Sequence, residues 1–304
     1  MSNPTLITIL GPTATGKTAL AAEVAYRLHG EVISADSRQV FRGMDLGTGK
    51  DLDDYHLHGT DIPYHLIDIC DPHEEYNAYR FMGDFRTAFL DIVSRRRQPI
   101  MCGGTGLYVD AVVRGYHLPD APVDPAFRAS LADRTDEELT ARLASLIKLH
   151  NHTDTETRDR LVRALEIQEF ALHHPDAYIQ MPPMQHRVFG VALPREVIIA
   201  RIEARLRQRL NQGMTDEVQR LLDSGVPAAR LLKFGLEYRH VTLFLTGQCS
   251  RDEMFEHLFT DIRRFAKRQM TWFRRMERNG VPIHWIDGTL DTAARADRLL
   301  EVLQ

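Results

Sequence analysis

Gly11-Pro12-Thr13-Ala14-Thr15-Gly16-Lys17-Thr18 is the stretch on which the reading of this chain turns. It follows a short apolar run, Leu6-Ile7-Thr8-Ile9-Leu10, and precedes an amphipathic one, Ala19 to Leu28. The order is strand, glycine loop, helix, with the G-x-x-x-x-G-K-S/T spacing intact. A loop of this length turns several backbone N–H groups inward around an oxyanion, and Gly11 and Gly16 allow close backbone approach. The helix N-terminus adds partial positive charge, Lys17 a full one, and the Thr18 hydroxyl can ligate Mg²⁺. The stretch therefore predicts a phosphate- or diphosphate-holding loop, without saying whose phosphate it holds.

Around this loop, the periodic segments alternate between strand and helix. Glu31 to Ser37 reads as a second strand that delivers Asp36 to its C-terminal end, where open α/β sheets bind ligands. Gln39 to Lys50 reads as a loop, Tyr64 to Ile69 as a strand stopped by Asp71-Pro72, and Tyr76 to Arg96 as a helix. Gln98 to Cys102 is a further strand, running into Gly103-Gly104-Thr105-Gly106 and a helix from Leu107. From about Leu118 the character changes. Pro119, Pro122 and Pro125 mark a boundary, and the periodic segments up to about Gln180 are helical, clearest at Asp136–Leu149 and Thr155–His173. A strand returns at Arg187–Leu193, with helices at Glu196–Gln212, Thr215–Ser224, Leu236–Thr246 and Arg251–Arg278, a strand at Pro282–Ile286 and a closing helix. Alternation with a leading phosphate loop predicts an α/β fold with a parallel, doubly wound sheet. The expected division is a core of residues 1–117 and 185–304 with an all-α insertion at 118–184.

The chain has 304 residues, 43% hydrophobic and 26% charged, as in a globular protein with a full core. No apolar run approaches 18 residues, so no membrane span is expected, and the N-terminus lacks a signal-peptide pattern. Three scattered cysteines (Cys70, Cys102, Cys249) fit a reducing, cytoplasmic compartment and no disulfide framework or zinc site. Fourteen histidines, including His56/His58, His150/His152 and His173-His174, lack the second ligand pair that a metal site needs. No coiled-coil or dimer stripe is evident, so a monomer is expected. The net charge of −4 conceals an uneven distribution. Between Ile262 and Arg278 seven basic residues (Arg263, Arg264, Lys267, Arg268, Arg274, Arg275, Arg278) stand against Glu277 alone. On a helix they flank an apolar face of Phe255, Leu258/Phe259, Ile262, Ala266, Phe273 and Met276. Such a strip is a solvated charged face or, beside a phosphate loop, a polyanion-binding one.

A phosphate loop alone points to nucleotide hydrolysis or a small-molecule kinase. The chain, however, has no run of four apolar residues followed by Asp; the nearest, His65-Leu66-Ile67-Asp68, has two. Asp36-Ser37-Arg38-Gln39, Gly103-Gly104-Thr105-Gly106 and the loop itself instead sit at predicted strand ends. A carboxylate facing a diphosphate across neighbouring strand ends suits proton abstraction from an attacking nucleophile. A helix N-cap is the plainer reading of Asp36 and of Thr105, and an i, i+3 ion pair with Glu166 that of Arg163.

Residues 11–18, Asp-Ser-Arg-Gln-Val-Phe-Arg-Gly-Met-Asp (36–45), Gly-Gly-Thr-Gly-Leu-Tyr (103–108), Arg-Ala-Leu-Glu (163–166) and Lys-Arg-Gln-Met-Thr-Trp-Phe-Arg (267–274) together resemble the bacterial tRNA dimethylallyltransferases, over nearly the whole chain and in order. The chain departs from that pattern at Gly47-Thr48-Gly49-Lys50, with Gly where Ala is usual, and at Gly235 to His240, where Gly-Tyr-Arg-Gln is commoner. The resemblance implies a P-loop NTPase-like fold and transfer of a dimethylallyl group from its diphosphate to N6 of the adenine 3′ of a tRNA anticodon. It implies Asp36 as general base, Gly11, Pro12, Thr13, Ala14, Thr15, Gly16, Lys17 and Thr18 around the diphosphate, and Mg²⁺ on Thr18. It assigns Thr105 to the base or the base–carboxylate pair and Arg239 to the leaving group. Ser37, Arg38, Gln39, Arg158, Arg160 and Arg163 are assigned to the tRNA anticodon stem-loop. Phosphorylation of a small metabolite, prenylation of a free adenine nucleotide and a non-catalytic RNA-binding nucleotide switch are the competing expectations.

Overall fold

In the computed structural model, which describes residues 3–147 and 155–303, the chain begins β1 (Thr5–Leu10), α1 (Lys17–Leu28), β2 (Gly30–Ser34), β3 (His56–Leu57), β4 (Thr60–Asp61) and β5 (Tyr64–His65). It continues through α2 (Ala78–Ser94), β6 (Gln98–Gly103), α3 (Gly106–Arg114), α4 (Pro125–Ser130), α5 (Asp136–Leu146) and α6 (Arg158–His173). After β7 (Gln185–Ala192) come α7 (Arg195–Asn211), α8 (Met214–Asp223), α9 (Ala228–Leu231), α10 (Leu236–Leu245), α11 (Arg251–Arg278), β8 (Ile283–Asp287) and α12 (Thr292–Leu303). Two compact units result, one of Met1–Tyr116 with Met181–Gln304 and one of His117–Gln180.

The larger unit is built on a six-stranded sheet of order β5-β2-β6-β1-β7-β8, parallel at every pairing. Strands buried on both faces need continuous apolar runs, which Leu6–Leu10 and Val32–Ile33 supply. Sheet residues Ile7, Ile9, Val32 and Ile100 share one core with Leu20, Val24 and Ala25 of α1 and with Ala296 and Leu299 of α12. A second core joins Val40, Phe41 and Met44 to the apolar faces of α7, α8, α10 and α11.

The expected strand at Tyr64–Ile69 is cut short. Only Tyr64 and His65 pair with β2, because Leu66 (φ 63°) and Asp68 (φ 57°) adopt left-handed backbone that no ladder accommodates. The turn brings the Asp68 carboxylate to the ammonium of Lys50, whose side chain is 1% exposed. Sequence periodicity also passes over the β3–β4 hairpin and α9, which are too short to register a period.

The smaller unit consists of α4, α5 and α6 around Leu131, Leu139, Leu143, Leu161 and Leu165. Thr135 and Glu138 close a capping box on α5, and Thr157 caps α6. Buried Glu166 ties the unit together, accepting from Asp124 N (2.6 Å), Arg128 Nη2 (2.9 Å) and Arg163 Nη1 (2.6 Å). The expected C-terminal end of the 136–149 helix and His150/His152 lie outside the described residues.

Candidate active site

Parallel pairing puts the C-terminal ends of β2, β6 and β1 side by side, and each end carries a segment of the candidate site. The Gly11–Thr18 loop follows β1, Asp36 lies two residues beyond β2, and Gly103-Gly104-Thr105 ends β6. The β2 and β6 ends are tightly joined. Ala35 N donates to Cys102 O (2.8 Å), and a Cβ on Gly103 would run into the Ala35 carbonyl. Only glycine allows that approach.

The loop has the geometry of an anion cradle. Ala14 (φ 65°) and Gly16 (φ 76°) are left-handed, and Thr15 Oγ1 donates to Pro12 O (2.8 Å). The N–H groups of Gly16, Lys17 and Thr18 have no acceptor among the described residues. Burial lowers the pKa of the Lys17 ammonium, opposed by nearby Cys102 and Asp36. Asp36 and the loop lysine thus share one electrostatic neighbourhood.

Asp36 caps no helix. Its Oδ1 accepts from Arg38 N (2.9 Å) in a turn, and its second oxygen has no hydrogen-bond partner among the described residues. Thr105 precedes α3 but makes no side-chain cap; its Oγ1 accepts from Ser37 N (3.0 Å), locking the Asp36 turn to the β6 loop. Gln39 spends its amide internally, accepting from Ser34 Oγ (2.8 Å) and donating to Gly49 O (2.9 Å). Burial lowers the pKa of the Arg38 guanidinium, with Asp36 opposing the shift.

Arg239, expected at the leaving group, is exposed and donates to Leu232 O (3.0 Å). The guanidinium that reaches the Thr13 side chain is that of Arg205 on α7, hydrogen-bonded to its Oγ1. Burial, reinforced by Arg209, brings Arg205 down to about 10, so it stays cationic at neutral pH. On α10 it is Glu237 that lines a small cavity with Arg205 and Arg209, and two residues along a helix is a rotation of about 200°. One of the two residues therefore faces in when the other faces out. Arg209 in turn holds Asp51 with both carboxylate oxygens (2.9 and 3.0 Å).

Three further residues that the sequence reading missed brace the loops of the site. Gln269 of α11 accepts from Thr13 N (2.9 Å) and donates to Gly104 O (2.8 Å), bridging the β1 and β6 loops. Arg295 of α12 donates to Thr15 O and Gly16 O (3.2 and 3.4 Å). Glu217 of α8 accepts from the N–H groups of Asp45, Leu46 and Gly47, beyond Asp36. A signal for the first was present, since Gln269 interrupts the apolar spacing Ile262, Ala266, Phe273, Met276. Arg201, Arg205 and Arg209 likewise recur every fourth residue on a helix whose buried face holds Ile202 and Leu206.

The basic strip of α11 is narrower than its sequence suggests. Arg263, Arg264, Lys267, Arg268, Arg274 and Arg278 are exposed, whereas Arg275 turns inward over Trp272, 3.6 Å from buried Asp110. In the smaller unit Arg158 bonds Asp136 Oδ1 (2.6 Å), Arg160 pairs with Glu156, and Arg163 bonds Glu166 and Ala121 O. The ion-pair reading of Arg163 is thus realised.

A hard cation fits this donor set. The Thr18 hydroxyl makes no hydrogen bond to a described residue and opens α1 at the cradle, while no group of three or more His, Cys, Asp or Glu among the described residues could hold a metal alone. Among the described residues no helix is long and apolar enough to cross a membrane.

The sequence pattern of the IPP transferase family matches residues 39–276, and that of the isopentenyl transferases matches residues 4–66. A protein of Porphyromonas gingivalis named tRNA dimethylallyltransferase 2 is 50% identical, covering 98% of both chains. A tRNA dimethylallyltransferase 1 of Parabacteroides distasonis is 48% identical, over 100% of this chain and 99% of its own. Among solved structures, a tRNA delta(2)-isopentenylpyrophosphate transferase from Staphylococcus epidermidis aligns over 99% of this chain and 98% of its own, with a TM-score of 0.70 at 28% identity. A eukaryotic dimethylallyltransferase captured acting on tRNA shares the fold, with a TM-score of 0.71 at 21% identity over 94% of this chain and 74% of its own. The chain belongs to the IPP transferase family and is a prenyl-transferring transferase.

Proposed function

We propose that this protein transfers a dimethylallyl group from dimethylallyl diphosphate to N6 of the adenine just 3′ of a tRNA anticodon. The observation that carries the reading is the juxtaposition of a carboxylate and an anion cradle at neighbouring strand ends, with Thr105 and Gln269 tying the three loops together. The Gly11–Thr18 loop, Lys17 and Arg205 hold the diphosphate. The N6 lone pair attacks the allylic carbon as its bond to the diphosphate oxygen breaks, and the electron pair leaves with pyrophosphate. Asp36 takes the proton that N6 loses. Lys17, Arg205 and the free N–H groups meet the charge that grows on the leaving oxygen. The Thr18 hydroxyl would hold Mg²⁺, which would supply further neutralisation of that charge.

An adenine stacked in an anticodon loop must swing out to meet Asp36, so the turn of Ser37, Arg38 and Gln39, with Thr105, frames the extruded base. Lys17 and Arg38, both drawn into this neighbourhood, keep the Asp36 carboxylate in a cationic setting before the base arrives. The exposed arginines and lysine of α11 meet the phosphates of the anticodon stem-loop, and Arg158 and Arg160 offer further cations from the smaller unit, while Arg163 is held by Glu166. The protein acts as a cytoplasmic monomer.

The reading is tested by incubating the protein with dimethylallyl diphosphate, Mg²⁺ and unmodified tRNA and analysing the digested nucleosides. Modified adenine is expected at one position, and its absence with active control enzyme would reject the proposal. Asp36→Ala is expected to lower turnover by orders of magnitude while leaving pyrophosphate affinity largely intact. Undiminished turnover would remove Asp36 as the base.

A further inference from the structure

Arg295 is 6% exposed, yet every hydrogen bond it makes ends on a neutral oxygen. Nη1 donates to Thr15 O and Gly16 O, Nη2 to Thr292 Oγ1 (2.9 Å) and Nε to Asp291 O (3.3 Å). Among the described residues no carboxylate lies within ion-pair distance of it. The Asp291 carboxylate instead accepts from Ala294 N (2.8 Å) at the start of α12. The side chain packs directly behind the cradle, since a Cβ on Gly16 would meet Nη1 at 3.2 Å. A buried guanidinium with no carboxylate in contact is costly unless a closer counter-charge is supplied.

The two carbonyls it grips decide what that something is. In a trans peptide the C=O and N–H point in opposite directions. The Thr15 and Gly16 carbonyls belong to the same peptide units as the N–H groups of Gly16 and Lys17, which have no acceptor among the described residues. Holding the carbonyls from behind aims those N–H groups forward and polarises them. We propose that Arg295 is a positioning residue for the diphosphate: from the C-terminal helix it orients the peptide units of the cradle, and bound diphosphate adds counter-charge to a guanidinium that, among the described residues, no carboxylate contacts and only Asp291 attracts from further off. This rests on the reading of the Gly11–Thr18 loop as the diphosphate site.

Nothing in this arrangement requires Arg295 to touch substrate. Its influence is on the ground-state grip for the anion and not on Asp36 or the adenine. The docking of α12 itself has separate anchors, Arg27 to Asp297 and Arg27 Nη2 to Ala293 O (3.4 Å), and these do not reach the loop. That separation allows positioning to be told apart from helix docking.

The test is titration of the full-length protein with Mg²⁺-pyrophosphate by calorimetry, alongside steady-state kinetics. Arg295→Met is expected to weaken pyrophosphate binding about 10- to 100-fold, by analogy with the loss when an outer-shell partner that orients a metal ligand is removed. Arg295→Lys, which keeps the charge but not the fork, is expected between wild type and Arg295→Met, and it decides the question should Arg295→Met not fold. KM for dimethylallyl diphosphate rises in step and KM for tRNA does not. Arg27→Met, which loosens α12 without touching the cradle, and Arg298→Met, an exposed change on the same helix, leave pyrophosphate affinity as in wild type. Wild-type affinity in Arg295→Lys and in any folded Arg295→Met, or an equal loss in Arg27→Met, overturns the proposal. If wild type and Lys17→Met bind pyrophosphate equally poorly, the diphosphate reading itself falls, and this inference with it.

Discussion

Replacing Gln269 tests whether the site is assembled by the bridge between its loops or merely by the sheet beneath them. Gln269 is 6% exposed and satisfies two buried backbone groups, the N–H of Thr13 and the C=O of Gly104. Gln269→Leu keeps similar volume but leaves both without a partner. A buried backbone group left unpaired costs about 1–3 kcal/mol. After allowing for the added apolar burial, the net loss is about 2–4 kcal/mol. For a domain of this size Tm falls about 2–4 °C per kcal/mol. Gln269→Glu is the sharper variant. Ionised, it can still accept from Thr13 N, but its other oxygen faces the Gly104 carbonyl with no proton between them. Protonated, it restores both bonds. Its folded pKa is therefore expected above the unfolded value near 4.3, so wild-type stability is approached at low pH and lost as pH rises through the folded pKa. Thermal melts of wild type, Gln269→Leu and Gln269→Glu between pH 4 and pH 8, with pyrophosphate titrations at each end, read this out. If both variants melt and bind as wild type at pH 8, the bridge does not assemble the site.

Two further outcomes follow from the geometry. Arg205→Met should weaken pyrophosphate binding measured by calorimetry at least tenfold more than Arg239→Met, because Arg205 reaches Thr13 while Arg239 points to solvent; the reverse order would restore Arg239 to the leaving group. Burial disfavours the ionised Glu166, but the bonds from Arg128, Arg163 and Asp124 N more than offset this and pull its pKa down to about 2. Its contribution is then fully present above pH ~4.5 and lost as pH falls toward 2, about 2–3 kcal/mol once solvent screening of the half-buried arginines is allowed for. The stability gap between wild type and Glu166→Gln in urea unfolding should narrow from pH 7 to pH 3, and a constant gap would mean the ion pairs contribute nothing net.

The sheet and the three loops were legible because each rests on local signals: apolar runs, glycine at positions of close approach, and a phosphate-loop spacing whose physics is contained in eight residues. The supports were not, because they are tertiary. Gln269 lies 256 and 165 residues beyond the peptide groups it satisfies and Arg295 lies 280 and 279 beyond its own; Gln269 falls inside the 267–274 run, but nothing in that run says what its amide binds. What each offered was an inconsistency, a polar side chain on a face that periodicity assigns to the core. The short strand at Tyr64–His65 failed in the opposite sense. Its apolar pattern is that of a longer strand, but Lys50 needs the Asp68 carboxylate, and the chain turns left-handed to deliver it. Membership of a recognisable run does not fix helix phase, and the structure has Arg239 bonded to Leu232 O while Arg205 reaches Thr13. Two residues on a helix face nearly opposite ways, so the inward position belongs to Glu237.

The position of Glu217 shows why the C-terminal helices belong to the core domain and are not an appendage. On the proposed reading Asp36 is a general base, and such a base must stand in place before the nucleophile arrives, because ordering it during the reaction would add an entropic cost to the barrier. Asp36 begins a loop running to Lys50 that has no strand or helix to stiffen it. Its backbone donors at Asp45, Leu46 and Gly47 converge on the Glu217 carboxylate (2.9, 2.8 and 3.0 Å), which also accepts from Tyr238 Oη (2.6 Å). Lys50 Nζ closes the loop on Phe41 O (2.9 Å) and Asp45 Oδ1 (2.6 Å). Arg209 packs against Gly49 while gripping Asp51. Much of what holds the loop therefore comes from α7, α8 and α10 folded against it, beside its own Lys50 contacts and its bonds to residues 68–70. The carboxylate at the end of β2 is held ready by residues about 170 positions further along the chain, and no truncation that kept the sheet and the phosphate loop alone would preserve it.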